Sequence, residues 1–166
     1  MFLAPPKPRF PPLLGLLYAE FHPLLGPIIA HHTPDSLPIT ALCPSLHALL
    51  PYLIPRRALS NHMLTFHKPP VTLIGFPCYI THERYTRNDF AFNLVFVFNS
   101  TDDVDCWKKV VKKTAGVLQT LEKELGFLSE REKEDTSVDR VKWMLDSMFE
   151  DLNTFHECRV PIGKIR

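Results

Sequence analysis

The sequence predicts an α+β fold whose elements follow one another in the order β-β-α-β-β-β-α-α. Two apolar runs, Val71–Ile80 and Phe90–Phe98, are rich in β-branched and aromatic residues and are bounded by turn formers, which is typical of buried strands. All of the 16 prolines except Pro161 lie at or before Pro77, so the first half must consist of short extended pieces and turns. The second half repeats apolar residues at the spacing of amphipathic helices.

Length and charge limit the possible functions. A chain of 166 residues fits one domain and can bury a substantial core. The apolar content of 45% and charged content of 22% are ordinary for a globular fold. A net charge of +1 gives no electrostatic reason to expect nucleic acid as a partner. No segment reaches the ~20 apolar residues of a membrane span, so we expect no direct membrane insertion.

The cysteines and histidines do not form a recognisable metal or disulfide pattern. The four cysteines are far apart and include no CxxC pair, so a reduced, intracellular protein is expected. The eight histidines are scattered, and the adjacent pair His31 and His32 would point in opposite directions on a strand. We therefore expect no metal site.

The chain divides into three parts. Residues 1–12 are rich in proline and predict an extended, flexible leader. The folded domain is expected over residues 13–162, and residues 163–166 are interpreted as the start of a linker to further domains. The short spacing Pro5-x-x-Pro8 in the leader could bind a proline-recognising module, but such spacings are common in a sequence so rich in proline.

The domain is expected to open with a hairpin and a short helix. Leu13–Phe21 and Ile28–His32 are the two strands, joined by a turn that contains Pro23 and Gly26. A short, imperfect helix should follow, with Pro44 in its first turn and Pro51 ending or bending it. Its apolar residues recur at helical spacing: Leu42, Leu46, Leu49, Leu50 and Leu53.

Three more strands complete the predicted sheet: Met63–His67, Val71–Ile80 and Phe90–Asn99. Gly75 and Pro77 predict a bulge or an edge segment near the middle of the second of these. The last one alternates large apolar side chains on both faces, which is typical of a central strand covered on both sides. Asn93, its one polar residue, is interpreted as a hydrogen-bonded buried amide.

Two long helices are expected after the sheet. Ser100–Asp103 should cap a helix over Val104–Leu125, and Gly126 should end it. A charged linker, Ser129–Ser137, precedes a second helix over Val138–Asn153. The apolar stripe of the first helix comprises Val104, Trp107, Val111, Thr114, Leu118, Leu121 and Leu125. Its other faces carry charged residues, interpreted as a solvated surface: Lys108, Lys109, Lys112, Lys113, Glu122 and Lys123.

Enzymatic motifs are scarce. The six glycines form no phosphate-binding loop, and no GxSxG elbow occurs. Glu20, His22 and Cys78 could serve as catalytic groups, but no sequence pattern brings them together. The sequence therefore predicts no self-contained active site. The best candidate is Arg87, which lies at the tip between two buried strands and should be exposed on a rigid support.

Several motifs, in unbroken order over roughly residues 13–162, resemble the N-terminal longin domain of the nitrogen permease regulator 2 family. The motifs are Glu20–Pro23, Leu25–Pro27, Leu73–Pro77, Tyr85–Asn88, Phe92–Leu94, Lys112–Leu118 and Thr120–Glu122. The resemblance implies a three-layer α/β/α, longin/profilin-like domain. Its five-stranded, mainly antiparallel sheet would carry one short helix on one face and two longer helices on the other.

The resemblance also implies a function. Proteins of this family belong to a complex that activates GTP hydrolysis by Rag GTPases and so represses TOR complex 1 under amino-acid or nitrogen limitation. The implied partners are a nitrogen permease regulator 3-like longin subunit, a larger scaffold subunit and the Rag GTPase. The implied location is the cytoplasm, with peripheral recruitment to the vacuolar or lysosomal membrane. No cofactor is expected, because GTP and Mg²⁺ belong to the partner GTPase.

By the same resemblance, Arg87 is the arginine finger. In this family the arginine of a Tyr-Ser-Arg-Asn loop acts as the finger, and the matching residues are Tyr85, Thr86, Arg87 and Asn88, with threonine keeping the serine hydroxyl. Together with Arg84, the competing cation, these residues form the expected GTPase-contact loop. The alternative is a non-catalytic longin scaffold of trafficking or exchange-factor complexes, in which Arg87 is only a hairpin-tip residue.

Overall fold

The structure is a computed structural model that describes residues 10–54, 60–129 and 140–159. The first nine residues of the predicted leader, most of the charged linker and the predicted segment over residues 163–166 lie outside the described residues, so these assignments stay predictions. The strands are β1 (Gly15–His22), β2 (Gly26–Thr33), β3 (Leu64–Lys68), β4 (Val71–Gly75), β5 (Cys78–Thr81) and β6 (Asp89–Asn99). The helices are α1 (Ile39–Leu42), α2 (Leu46–Leu53), α3 (Lys108–Leu125) and α4 (Arg140–Arg159).

The six strands form one antiparallel sheet in the order β2-β1-β6-β4-β3, with β5 also paired to β6. The predicted mainly antiparallel sheet is thus confirmed. β6 is the central strand, because it pairs with β1 along one edge and with β4 and β5 along the other. Successive side chains of β6 point to opposite faces of the sheet, and both faces are buried.

The sheet has six strands where five were predicted, because the long strand expected over Val71–Ile80 is interrupted. Gly75 lies opposite Val95 and Cys78 opposite Phe92, three steps along each strand. No residue is inserted, so β4 and β5 share one register and the bulge is wrong. The alternative, an edge segment, agrees with β5, which pairs only with β6 among the described strands. The interruption contains Pro77, which has no N–H to donate to the ladder.

Helices cover both faces of the sheet, as the predicted three-layer arrangement requires. One cluster packs α3 and α4 against the alternate β6 residues that include Phe92 and Phe96. The other packs α1 and α2 against the face that carries Val95 and Val97. Asn93, on this second face, donates from Nδ2 to the carbonyl of Leu53 at 2.8 Å, so its interpretation as a hydrogen-bonded buried amide is confirmed for that nitrogen.

The predicted single short helix is two pieces. Pro44 separates α1 from α2, because the residue before a proline is driven into extended backbone, and Cys43 has φ −136° and ψ 80°. Pro44 was predicted to lie in the first turn of the helix, and this is wrong, because it lies between α1 and α2. Pro51 lies inside α2. Both pieces still pack on the same side of the sheet.

The helix predicted over Val104–Leu125 begins with a 3₁₀ turn, Asp105–Trp107, and continues as α3. Gly126 ends it in the left-handed conformation at φ +61°, as predicted. Two assignments on its surface are wrong. Glu122 is fully buried although it was placed on a solvated face, and Leu125 is 61% exposed although it was placed in the apolar stripe. The last turn of α3 contacts Arg84 and Tyr85, which lie between β5 and β6. Glu122 faces these residues and is therefore buried, whereas Leu125 faces solvent.

α4 lies against β2. The Thr33 hydroxyl donates to Asp146 Oδ1 at 2.6 Å, and Lys142 Nζ lies 2.7 Å from Asp35 Oδ1 and also donates to the carbonyl of His32. The buried side chains of Val141 and Leu145 join the core below these polar contacts. None of the helices described has the length and apolar character needed to cross a membrane.

Candidate functional site

The β5–β6 loop, residues 82–88, is a closed turn at the end of a ladder. Thr81 and Asp89 are the last paired residues, and the backbone N–H of His82 continues the ladder to the carbonyl of Asn88 at 2.9 Å. Inside the loop, the N–H of Asn88 donates to the carbonyl of Tyr85 at 2.9 Å. Asn88 has φ +60°, a left-handed conformation that asparagine adopts more readily than most residues. These bonds fix the loop backbone in one shape.

Arg87 is exposed on this loop, as the sequence predicts. The carbon at the centre of its guanidinium group lies 5.0 Å from the ring centroid of Phe21, at the end of β1. In the part of the chain that the structure describes, Arg87 has no hydrogen bond and no ion pair. A guanidinium held over an aromatic ring keeps its N–H donors for an anion that approaches from outside.

Arg84, the competing cation, is committed to the fold. Its Nη2 donates to the carbonyl of Glu122 at 2.6 Å and to the Tyr85 hydroxyl at 2.8 Å, and its Nη1 lies 3.4 Å from the carbonyl of Lys123. These carbonyls belong to the last turn of α3, where the helix dipole favours a cation. The Glu122 carbonyl also accepts from the backbone N–H of Gly126 at 2.9 Å, so Arg84 is its second donor. Arg84 therefore caps α3 and fixes the loop to it.

A buried carboxylate completes the connection between the loop and α3. Glu122 Oε1 accepts from the Tyr85 hydroxyl at 2.7 Å and from the Ser129 hydroxyl at 2.5 Å. Glu122 Oε2 accepts from the backbone N–H groups of Leu128 and Ser129 at 2.8 and 3.2 Å. Each donor satisfies part of a charge that would otherwise be costly to bury. Glu122 thus ties the β5–β6 loop to the segment that follows α3.

Sequence reasoning missed this role of Glu122, although a signal was present. Glu122 follows the buried residues Leu118 and Ala115 by four and seven positions, which is the spacing of one helical face.

Tyr85 is the predicted loop residue that connects these parts. Its ring is buried and stacks on Phe90 with centroids 5.3 Å apart. Burial, together with the hydrogen bond to Glu122, raises the pKa of the Tyr85 hydroxyl to about 12. Tyr85 is therefore a neutral donor that supports the loop from below. Thr86 and Asn88 are exposed beside Arg87, where a bound partner can reach them.

The pKa of Tyr85 has a consequence for stability at high pH. In the unfolded chain a tyrosine has a pKa near 10, whereas the pKa of Tyr85 in the folded domain is about 12. The contribution of Tyr85 is thus fully present below about pH 10 and is lost as the pH rises to about 12. We expect Tyr85→Phe to flatten the fall in unfolding free energy over this window, measured by urea unfolding at successive pH values. Tyr52→Phe is the control, because Tyr52 is exposed; equal slopes for wild type and Tyr85→Phe would contradict the prediction.

A hollow of about 270 Å³ lies beside the loop. It is lined by Arg84 and Arg87 from the loop, Phe21 at the end of β1, Pro23 in the β1–β2 turn and Leu125 at the end of α3. Asp89 and Glu124 line the same hollow, so its charges are mixed, and Arg87 is the cation there whose donors are not used within the described residues. No group of three or more potential metal ligands occurs among the described residues.

The structure gives Glu20, His22 and Cys78 separate roles. Glu20 is buried and accepts a hydrogen bond from the Tyr18 hydroxyl at 3.1 Å. The ring of His22 accepts from backbone N–H groups of the β1–β2 turn. Burial raises the pKa of the Cys78 thiol to about 12, so little nucleophilic thiolate forms at neutral pH. These residues make no catalytic constellation with one another.

Comparison with known proteins gives consistent results. Residues 11–165 match the family model described as nitrogen permease regulator 2. The chain is 32% identical over 160 residues to the nitrogen permease regulator 2 homolog of Schizosaccharomyces pombe, covering 92% of this chain and 38% of that protein. It is 31% identical over 139 residues to the GATOR complex protein NPRL2 of Drosophila melanogaster, covering 83% of this chain and 32% of that protein.

A third relative, nitrogen permease regulator 2 of Saccharomyces cerevisiae, is 26% identical over 131 residues, which cover 78% of this chain and 21% of that protein. The chain therefore spans between about a fifth and two fifths of the length of these relatives. The family model covers nearly the whole chain. The chain belongs to the nitrogen permease regulator 2 family.

Proposed function

We propose that this chain is the longin-domain part of a subunit that stimulates GTP hydrolysis by Rag GTPases, with Arg87 as the arginine finger. One observation carries the proposal. Of the two cations on the β5–β6 loop, Arg84 caps α3, whereas Arg87 is exposed over Phe21 with no polar partner among the described residues. Arg87 is also the position that the family resemblance nominates.

The chemistry needs only one cation from this chain. Charge develops on the phosphoryl oxygens as the bond to the γ-phosphate of GTP breaks, and a guanidinium stabilises it through its planar array of donors. The GTPase holds GTP and Mg²⁺ and orients the attacking water. Arg87 enters that site from outside, while Thr86, Asn88 and the rest of the loop contact the GTPase surface.

The proposal includes the assembly in which the domain acts. The name of the Drosophila relative places that protein in a GATOR complex. We infer a comparable complex for this chain, with a nitrogen permease regulator 3-like longin subunit and a larger scaffold subunit. The complex would be recruited from the cytoplasm to the vacuolar or lysosomal membrane and would repress TOR complex 1 when amino acids or nitrogen are limiting.

The test is single-turnover GTP hydrolysis by Rag heterodimers with the assembled complex carrying Arg87→Ala. Loss of stimulation with intact assembly supports the proposal, and undiminished stimulation contradicts it. Because the chain spans a minor part of its relatives, residues 1–166 alone should stimulate hydrolysis little, since the partner subunits position the finger.

A non-catalytic longin scaffold is the second candidate. The observation that favours it is the edge of the sheet: β3 pairs only with β4 among the described strands, so its other side can accept a strand from a partner. On this alternative, Arg87→Ala leaves hydrolysis unchanged. Substitutions that disrupt the β3 edge, by contrast, abolish complex assembly.

Phe21 is expected to act as a positioning residue for the finger. Phe21→Leu keeps an apolar side chain but removes the aromatic face under the Arg87 guanidinium. Cation–π contacts at exposed sites contribute about 0.5–1 kcal/mol, so we expect the stimulated rate to fall roughly two- to fivefold. Stopped-flow measurement of phosphate release at saturating complex would show it. The same substitution in an Arg87→Ala background should have no further effect on the rate, and an equal fall there would contradict the positioning role.

A further inference from the structure

The turn between β1 and β2 presents two leucines to solvent. Leu24 is 90% exposed and Leu25 is 70% exposed, more than the other large apolar side chains of the described residues. Single exposed leucines are common on protein surfaces, but two adjacent ones at the tip of a turn form a compact apolar knob. We call Leu24 and Leu25 the leucine tip.

The leucine tip is held rigidly. Nδ1 of the His22 ring accepts hydrogen bonds from the backbone N–H groups of Leu24 and Leu25, both at 3.1 Å. Gly26 closes the turn at φ +77°, a conformation that glycine adopts at little cost. A turn ordered in advance loses little conformational entropy when its tip is buried against a partner.

The leucine tip adjoins the arginine site. Phe21 lies under the guanidinium of Arg87, and Phe21 and Pro23 both line the hollow that Arg87 borders. Leu24 follows Phe21 by three residues, so its Cα lies at most about 11 Å from that of Phe21. A protein that binds at Arg87 and covers the hollow up to Pro23 is therefore within reach of the leucine tip.

We propose that the leucine tip is an apolar anchor that docks on the GTPase beside its nucleotide and sets the register of Arg87. This inference rests on the proposed function. Arg87 supplies charge, whereas the tip supplies apolar contact area that is buried only when the two proteins meet. The proposal requires an apolar depression on the GTPase next to its phosphate-binding loops, into which this turn inserts.

The experiment compares two assembled complexes. One is wild type, and the other carries both Leu24→Ala and Leu25→Ala. Single-turnover hydrolysis by GTP-loaded Rag heterodimers is measured over a range of complex concentrations. We expect the half-saturating concentration to rise roughly tenfold, as for loss of a central anchor, while the rate at saturation stays the same. Val117→Ala, which shortens an exposed aliphatic side chain on α3, is the matched control and should leave both quantities unchanged.

The outcomes separate the two proposals. Suppose that Arg87→Ala abolishes stimulation but the tip variant has the wild-type half-saturating concentration. The proposal of an apolar anchor is then wrong, while the proposal of an arginine finger is supported. If the tip variant weakens the response and Arg87→Ala does not lower the rate, the finger is wrong. Assembly of each complex is checked by size-exclusion chromatography. Failure of the tip variant to assemble would show that the tip binds another subunit, which also overturns the anchor.

Discussion

Replacing Arg87 with alanine should lower the stimulated rate of GTP hydrolysis by about 10³–10⁵-fold, the contribution of an arginine finger. The GTPase should still bind the complex, because one exposed side chain of the loop is lost while the loop backbone is held by its own hydrogen bonds. The effect should therefore appear in the rate at saturation and hardly at all in the half-saturating concentration. That distribution is typical of an interaction made in the transition state.

Arg87→Lys distinguishes a finger from a general cation. Lysine keeps the charge but lacks the planar fork that contacts two phosphoryl oxygens, so most of the rate should still be lost. Lys113→Ala, which removes an exposed cation from α3, is the control and should leave the rate unchanged. A lysine variant with the wild-type rate would argue that Arg87 acts only through long-range attraction.

Glu122→Ala should lower the unfolding free energy of the domain by about 3–5 kcal/mol, the usual cost of removing one partner from a buried charged network. Glu122 is fully buried, and its two oxygens accept from Tyr85, Leu128 and Ser129. The substitution removes the acceptor of the Tyr85 hydroxyl and of the Leu128 N–H and opens a cavity at the same place. The end of α3 and the β5–β6 loop should loosen together.

Urea unfolding of the chain, followed by circular dichroism, measures this loss. Glu124→Ala is the matched control, because Glu124 is an exposed glutamate on the same helical turn. Its effect should stay within about 0.5 kcal/mol, the usual range for surface substitutions. Equal unfolding midpoints for the two variants would show that the buried carboxylate does not stabilise the loop.

The sheet could be predicted where the determining signal was local. The alternation of Phe92 and Phe96 with Val95 and Val97 depends only on the pleat of a strand, and the structure places the two sets on opposite faces. Pro77 is a local signal for the interruption, but the common register of β4 and β5 depends on where both strands pair along β6, which is non-local. The sequence showed that a hydrogen bond would be missing there, but could not show whether the register would shift.

In the candidate site, too, some features follow from local sequence and others depend on distant residues. The exposure of Arg87 follows from a polar turn between two apolar strands, so it could be predicted. The helical spacing of Glu122 from Ala115 and Leu118 indicated its burial. Its hydrogen-bond partners could not be predicted, however, because Tyr85 is 37 residues away in the chain and Leu128 lies in the turn after α3. The contact of Phe21 with Arg87 requires β1 to pair with β6, a pairing between distant segments that composition does not specify.

The attachment of the β5–β6 loop at three places has a mechanical consequence. Its two ends continue the ladder of β5 and β6, and Arg84 and Glu122 fix its middle to α3. The loop backbone that carries Arg87 therefore moves with the whole domain. A misplacement of about 1 Å at a catalytic group can cost about 10²-fold in rate. Under the proposed function, subunits that hold this domain could thus control hydrolysis through its orientation alone, without reshaping the loop.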